Sequence, residues 1–209
     1  MFRFAPEGYP PIFVFLFITI VVAFFAEPWV AMVLLGVTFF ILFFFRDPER
    51  SIPQGDNIFV SPADGKVILI QNVHEERYLK NDATQVSIFM SPFNVHVNRS
   101  PCDAIVKLVV YTPGRFLSAF KPEASRENEN ITMLLETENA KVLVRQVAGF
   151  IARRAVCRVK PGDTLKRGER YGIIKFGSRL DVYLPLYTEI KVKLGDKVKG
   201  GESILGVRI

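Results

Sequence analysis

The sequence predicts a mainly β protein: a compact β-sandwich or barrel-like domain with a repeated, carrier-domain-like hairpin, preceded by an N-terminal transmembrane helical hairpin. Three observations lead there. Apolar residues crowd into positions 12–45. Short β-rich runs broken by Gly, Pro, Asn and Asp fill most of the remainder. One turn-strand-turn pattern occurs twice near the C-terminus.

Residues 1–45 read as a membrane anchor. Over half of the chain's 19 Phe lie in 12–45, where Glu27 is the one charge. The apolar runs 12–26 and 29–45 are each shorter than the roughly 20 residues of a perpendicular span. Between them stands Glu27-Pro28. Proline has no backbone N–H and disfavours helix in the residue before it, so two helices with a turn at that point are expected. Arg3 precedes the first run, and Arg46 and Arg50 follow the second. The positive-inside bias then puts both ends, and the following domain, on the cytoplasmic side of the cell (inner) membrane. The rival reading is one kinked span that carries Glu27 inside it. A cleaved signal peptide fits poorly, because Ala23-Phe24-Phe25-Ala26 is a weak cleavage site and a second apolar run follows.

Residues 46–57, polar with Pro48, Pro53 and Gly55, read as a linker to a domain at 58–209. Strands are expected at Ile58–Val60, Lys66–Val73, Gln85–Met90, Ala104–Tyr111, Ile131–Glu136 and Lys141–Val147. Gly114–Asn130 is charged, lacks a pattern, and is read as a cover for a site. Val159-Lys160-Pro161-Gly162-Asp163 through Gly168-Glu169 recurs as Val192-Lys193-Leu194-Gly195-Asp196 through Gly201-Glu202. Two copies suggest paired hairpins of one domain and not a solenoid.

A net charge of +6 favours anionic partners. A lipid surface suits it better than nucleic acid, since no helix-turn-helix, zinc or aromatic-basic motif is present. Cys102 and Cys157 lack any Cys-x-x-Cys spacing, so two reduced thiols are expected, with neither a disulfide nor a metal site.

Four segments carry chemistry: Ser61-Pro62-Ala63-Asp64-Gly65, Ser91-Pro92-Phe93-Asn94-Val95-His96-Val97-Asn98-Arg99, Ala148-Gly149-Phe150-Ile151-Ala152-Arg153-Arg154, and Phe176-Gly177-Ser178-Arg179. Singly they are weak. His96 alone reads as a core histidine, and Asp64 alone as an Asp-Gly turn. Together, and in this order, they resemble the short, Phe-Gly-Ser-Arg branch of the pyruvoyl-dependent phosphatidylserine decarboxylases. The resemblance runs from about residue 46 to the C-terminus.

That resemblance implies a lyase that removes carbon dioxide from phosphatidylserine to give phosphatidylethanolamine. Electrons left on Cα need a covalent sink, and a ketone made from Ser178 provides one. The Ser178 hydroxyl attacks the Gly177 carbonyl, and glycine permits the tight turn and close approach. The ester that replaces the peptide bond undergoes β-elimination. Dehydroalanine then hydrolyses to ammonia and a pyruvoyl group, which leaves chains 1–177 and 178–209. A neutral serine needs a base, and the base an orienting carboxylate. The resemblance gives those roles to His96 and Asp64. His74, the other histidine, lies in a charged stretch. The longer branch of the family has a second histidine where Arg99 stands, so whether His96 alone serves both cleavage and proton return to Cα stays open, with His96 the favoured acid.

Arg99, Arg179, Arg153 and Arg154 are candidates for the substrate phosphate, since guanidinium forks match phosphate oxygens. Their plainer reading is a solvated basic surface. Two alternatives to an enzyme stay open: a membrane-anchored biotinyl- or lipoyl-like carrier, and a tethered binding module. The hairpin at Lys175–Arg179 lacks the usual setting of a carrier lysine. A homo-oligomer is left open as well.

Overall fold

The computed structural model describes residues 3–25, 27–118, 120, 123–149, 154–175 and 177–209. The chain divides into two units, Met1–Glu49 and Arg50–Ile209.

In the first unit, α1 (Tyr9–Phe25) and α2 (Pro28–Phe44) contain no charged residue. Glu27 is extended, and Pro28 opens α2, where its missing N–H would lack a partner in any case. The flanking segments run side by side. Phe4 and Arg46 form an antiparallel bridge, Ala5 N–H donates to Phe45 O and Asp47 N–H to Arg3 O, each at 2.8 Å. The chain therefore doubles back and does not continue as one span. Inside the hairpin, Thr19 Oγ1 and Thr38 Oγ1 meet at 3.1 Å, one hydroxyl donating to the other, which in turn donates to a carbonyl of its own helix one turn back. Outside it, Phe13, Phe17, Phe24, Trp29 and Met32 are exposed. Residues Pro6–Phe25 are long and apolar enough to cross a bilayer, while Pro28–Phe44 is shorter.

The second unit is β-rich, as its short alternating runs require. In chain order it holds β1 (Ile58–Val60), β2 (Gly65–Glu75), β3 (Asn81–Met90), β4 (Val97–Arg99), β5 (Ala104–Thr112), a one-turn helix α3 (Ala124–Glu127), β6 (Asn130–Glu136) and β7 (Lys141–Val147). Then follow β8 (Ala155–Cys157), β9 (Thr164–Leu165), β10 (Arg170–Ile174), β11 (Ser178–Pro185), β12 (Thr188–Ile190), β13 (Lys197–Val198) and β14 (Ile204–Arg208). An eight-stranded sheet has the order β13-β2-β3-β11-β7-β6-β5-β9; two three-stranded sheets have the orders β1-β14-β12 and β4-β10-β8.

These orders are those of a duplicated half. The large sheet reads the same from either end if β13 matches β9, β2 matches β5, β3 matches β6 and β11 matches β7. The small sheets match through β1 and β4, β14 and β10, β12 and β8. Register agrees in detail. The β2–β3 pairing slips between Val67 and Leu69, and the β5–β6 pairing slips at the corresponding Val106 and Leu108. Gly195 N–H donates to Val67 O, and Gly162 N–H to Val106 O, both at 2.8 Å. The repeat visible in the sequence is the small part of this symmetry that kept its residues. Its turns need glycine, since Gly162 and Gly195 have φ of 95° and 94°.

β11 lies beside the centre of the large sheet, between β3 and β7, and all its residues are buried. Leu180, Val182 and Leu184 face the main core with Val86, Ile88 and Val144. Arg179, Asp181 and Tyr183 alternate with them, as a period of two demands.

Candidate functional site

Ser178 is the first residue of β11 and is wholly buried. Gly177 before it has φ +59°, a left-handed conformation that glycine adopts without penalty. The strand pairing sets Ser178 opposite Met90 at the end of β3. The Ser178 hydroxyl donates to Met90 Sδ at 3.5 Å, and Asn98 Nδ2 approaches the same sulfur at 3.9 Å. Asn98 in turn accepts from Gln146 Nε2 of β7 at 2.8 Å. Met90 thus joins the serine's strand to β4.

His96, two residues before Asn98, is buried. Its Nδ1 lies 3.0 Å from Asn94 O. A carbonyl can only accept, so Nδ1 carries the proton in the neutral ring and the basic lone pair belongs to Nε2. Asn94 is itself fixed, since its Oδ1 accepts from Ser91 N–H at 2.9 Å and from Ser91 Oγ at 2.8 Å. His96 O accepts from Ile174 N–H at 3.3 Å, three residues ahead of Gly177. Ser178 and His96 therefore flank one end of β3, β4 and β11, but the serine's hydrogen bond goes to sulfur and not to the imidazole.

Asp64 is placed differently from a histidine-orienting carboxylate. It accepts from Arg50 Nη2 at 2.9 and 2.8 Å and from Gly200 N–H at 2.7 Å. None of its bonds reaches His96. Its loop touches the strand after His96, since Pro62 O accepts from Arg99 N–H at 2.9 Å.

The four arginines separate. Arg99 is buried, with Nη1 donating to Gly168 O at 2.9 Å. Arg179 is buried against Asp181 at 2.6 Å and donates to Ser87 Oγ at 2.9 Å. Asp181 also accepts from Ser125 Oγ on α3, which ties the segment before β6 to the strand that begins with Ser178. Arg154 is exposed, and its carbonyl accepts from Lys175 N–H at 3.1 Å. Arg153, like Phe150–Ala152 and Phe176 of the expected motifs, lies outside the described residues.

Met90, Gln146 and Arg50 also belong to this neighbourhood, and sequence reasoning passed over them. Met90 immediately precedes the His96 segment, and Arg50 sits in what read as a linker. Gln146 carries no local signal at all. Burial pushes the Cys102 thiol up to about 12 and the Tyr171 hydroxyl well above its ordinary value.

Fold and site together define a mainly β domain in which a buried serine opens a central strand behind a left-handed glycine and a buried histidine precedes β4. The phosphatidylserine decarboxylase family model matches residues 37–206. The phosphatidylserine decarboxylase proenzyme of Syntrophus aciditrophicus (strain SB) is 49% identical over 204 residues, covering 97% of this chain and 96% of that protein. That of Geotalea uraniireducens (strain Rf4) is 50% identical over 204 residues, covering 97% and 95%, and that of Desulfotalea psychrophila is 45% identical over 203 residues, with the same coverage. The chain belongs to the phosphatidylserine decarboxylase family, and the carrier reading is not favoured.

Proposed function

We propose that the chain decarboxylates phosphatidylserine to phosphatidylethanolamine after cutting itself between Gly177 and Ser178. The observation that carries this reading is the buried Ser178 at the head of β11 behind a left-handed glycine. A side chain added at Gly177 would meet nothing within 4 Å beyond its chain neighbours, so the left-handed φ and not crowding is what calls for glycine there. These residues fit a pyruvoyl group derived from Ser178, and that group would supply the electron sink for the Cα electrons when carbon dioxide leaves.

His96 is the base in this proposal. With Nδ1–H held by Asn94 O, Nε2 takes the Ser178 proton once the hydroxyl turns from Met90 Sδ toward Gly177. The same nitrogen returns a proton to the substrate Cα in turnover. Asp64 is a positioning residue, acting through the Ser61–Gly65 loop on β4.

The substrate phosphate is assigned to exposed Arg154 and to its neighbour Arg153, since a phosphodiester needs guanidinium groups that can turn toward it. Arg99 and Arg179 spend their donors inside the protein, and their role is to hold the walls. Phe93 and Phe120, 68% and 62% exposed, offer apolar contact for acyl chains; Phe120 stacks edge-on to Phe89, which precedes Met90. The apolar hairpin keeps the domain at the membrane that holds its substrate, and Arg3, Arg46 and Arg50 favour the cytoplasmic face.

Intact-mass spectrometry of the purified chain beside Ser178→Ala tests the reading. A fragment 178–209 with a ketone-blocked N-terminus, absent from the variant, supports it. An uncut, active chain overturns it.

A further inference from the structure

The duplicated halves set Asp64 and Asp103 in equivalent positions. Gly200 N–H donates to Asp64 Oδ1 at 2.7 Å, and the corresponding Arg167 N–H donates to Asp103 Oδ1 at 3.2 Å. Pro62 O accepts from Arg99 N–H and Pro101 O accepts from Val60 N–H, both at 2.9 Å. Ser61 Oγ donates to Ala63 O and Ser100 Oγ to Cys102 O, both at 2.7 Å. His96 O accepts from Ile174 N–H, and Asn57 O accepts from Arg208 N–H.

The strand pairings complete the correspondence. Arg179 opposite Phe89 matches Lys141 opposite Glu136, so Ser178 falls on Ala140 and Met90 on Thr137. Ser178, His96 and Asp64 therefore have a counterpart in Ala140, Asn57 and Asp103. The counterpart has neither nucleophile nor base, yet it keeps the carboxylate and its backbone clamp. A carboxylate retained where no chemistry accompanies it is holding a loop.

What the serine-bearing half has and its counterpart lacks is Arg50. Its side chain is 7% exposed, and Nη2 bonds both oxygens of Asp64 while Nη1 lies 3.6 Å from Glu202 Oε2. Asp103 has no ion pair among the described residues. The match to Glu202 is Glu169, which accepts from Lys166 N–H at 2.7 Å. A charge-assisted bond to both oxygens fixes the carboxylate's rotation as well as its position. Removing the cation would leave Asp64 as an uncompensated charge that is largely buried.

We infer that Arg50 is a positioning residue for cleavage at Gly177–Ser178. It locks the Asp64 loop, whose Pro62 carbonyl sets Arg99 and thereby β4, the strand that follows His96, whose carbonyl bonds Ile174 N–H. The inference rests on the reading of Ser178 as the cleaved serine. It gives the segment just after the anchor a part in maturation beyond tethering.

The test follows precursor conversion in the full chain, synthesised cell-free into nanodiscs and sampled by intact mass, with the melting temperature measured alongside. The expected order of rates is wild type, then Arg50→Lys, then Arg50→Gln. The last should be slower by roughly ten- to a hundredfold, the scale of a misplaced reacting group. Asp103→Ala removes the equivalent acceptor in the other half; it should lower the melting temperature and leave the rate within about twofold, because rate follows geometry at the centre.

The inference fails if Arg50→Gln cleaves like wild type, if Arg50→Lys is as slow as Arg50→Gln, or if Asp103→Ala slows cleavage equally. Should Arg50→Gln not fold, Arg50→Lys decides. Slower cleavage at an unchanged melting temperature supports the inference, and wild-type cleavage overturns it. A wild-type chain that never cuts overturns the reading of Ser178 itself, a result distinct from all of these.

Discussion

The hydroxyl of Ser178 donates to the sulfur of Met90, 3.5 Å away across the β11–β3 pairing, and makes no bond to His96. A thioether is a weak acceptor and cannot take the proton. The contact therefore parks the nucleophile and does not activate it. Met90→Leu keeps volume and shape while removing the acceptor, so it should cost less than about 1.5 kcal/mol of stability. Cleavage should proceed at or above the wild-type rate. A stable Met90→Leu chain that cleaves far more slowly would show that the sulfur aligns the hydroxyl for attack.

The two histidines should behave oppositely. His96 is buried with its tautomer fixed by Asn94 O, whereas His74 is exposed on β2 and pairs with Asp82 at 2.7 Å. His96→Ala should leave the precursor whole over hours, a loss of at least about a hundredfold, as for removal of a general base. His74→Ala should cleave and turn over like wild type, since an exposed pair contributes roughly 0–1 kcal/mol. Gel separation of precursor from its fragments reads both.

How much of this was legible beforehand varies with the range of the interaction. The apolar hairpin was, because Glu27-Pro28 interrupts an otherwise uncharged run and acts locally. Strands β1, β2, β3, β5, β6 and β7 were, from their alternation, but β4, β10 and the wholly buried β11 were not. The Val159 and Val192 repeat was visible only where turn glycines and aspartates are required; the rest of the duplication survives as hydrogen-bond register, which many side chains can satisfy. Ser178, Gly177 and His96 were readable as a set; the fold places Ser178 opposite Met90 and bonds His96 O to Ile174 N–H, three residues before Gly177. The ligation of Asp64 was not readable, because its partners Arg50 and Gly200 are distant in sequence and one is a backbone amide. Nor was the burial of Arg99 and Arg179. A guanidinium beside a serine looks the same in sequence whether it faces a phosphate or Asp181.

Cys102 predicts an alkaline limb in stability. Burial pushes its thiol from 9.0 up to about 12. The folded chain keeps a proton that the unfolded chain gives up near pH 9. This contribution is therefore complete below about pH 9 and is lost as pH rises toward about 12, at no more than about 1.4 kcal/mol per pH unit. Cys102→Ala should flatten that limb in denaturant titrations between about pH 8 and about pH 11. Alanine fits there, since Ala63 holds the equivalent place in the other half. Iodoacetamide should label partly exposed Cys157 before Cys102.

Arg179 and Asp181 form the most deeply buried ion pair described, with side chains 2% and 0% exposed. Each also meets a serine, Ser87 on β3 for Arg179 and Ser125 on α3 for Asp181. Removing one partner leaves the other's charge in a dry interior, which typically costs about 3–5 kcal/mol. Asp181→Asn should thus lower stability by that order, whereas Ser125→Ala, which removes one bond to a charged group, should cost about 1.5–3 kcal/mol. The two differ in consequence as well as size. Asp181 lies inside β11, so its loss should disturb the register that sets Ser178 opposite Met90 and should slow cleavage along with folding. Ser125 joins the segment before β6 to that strand, so Ser125→Ala should cleave normally once folded. Limited proteolysis should then find that variant cut sooner than wild type between residues 113 and 129, where the tether has gone. Equal protease resistance in the two chains would mean that Asn128, which bonds Leu117 and Ala148, holds the segment by itself.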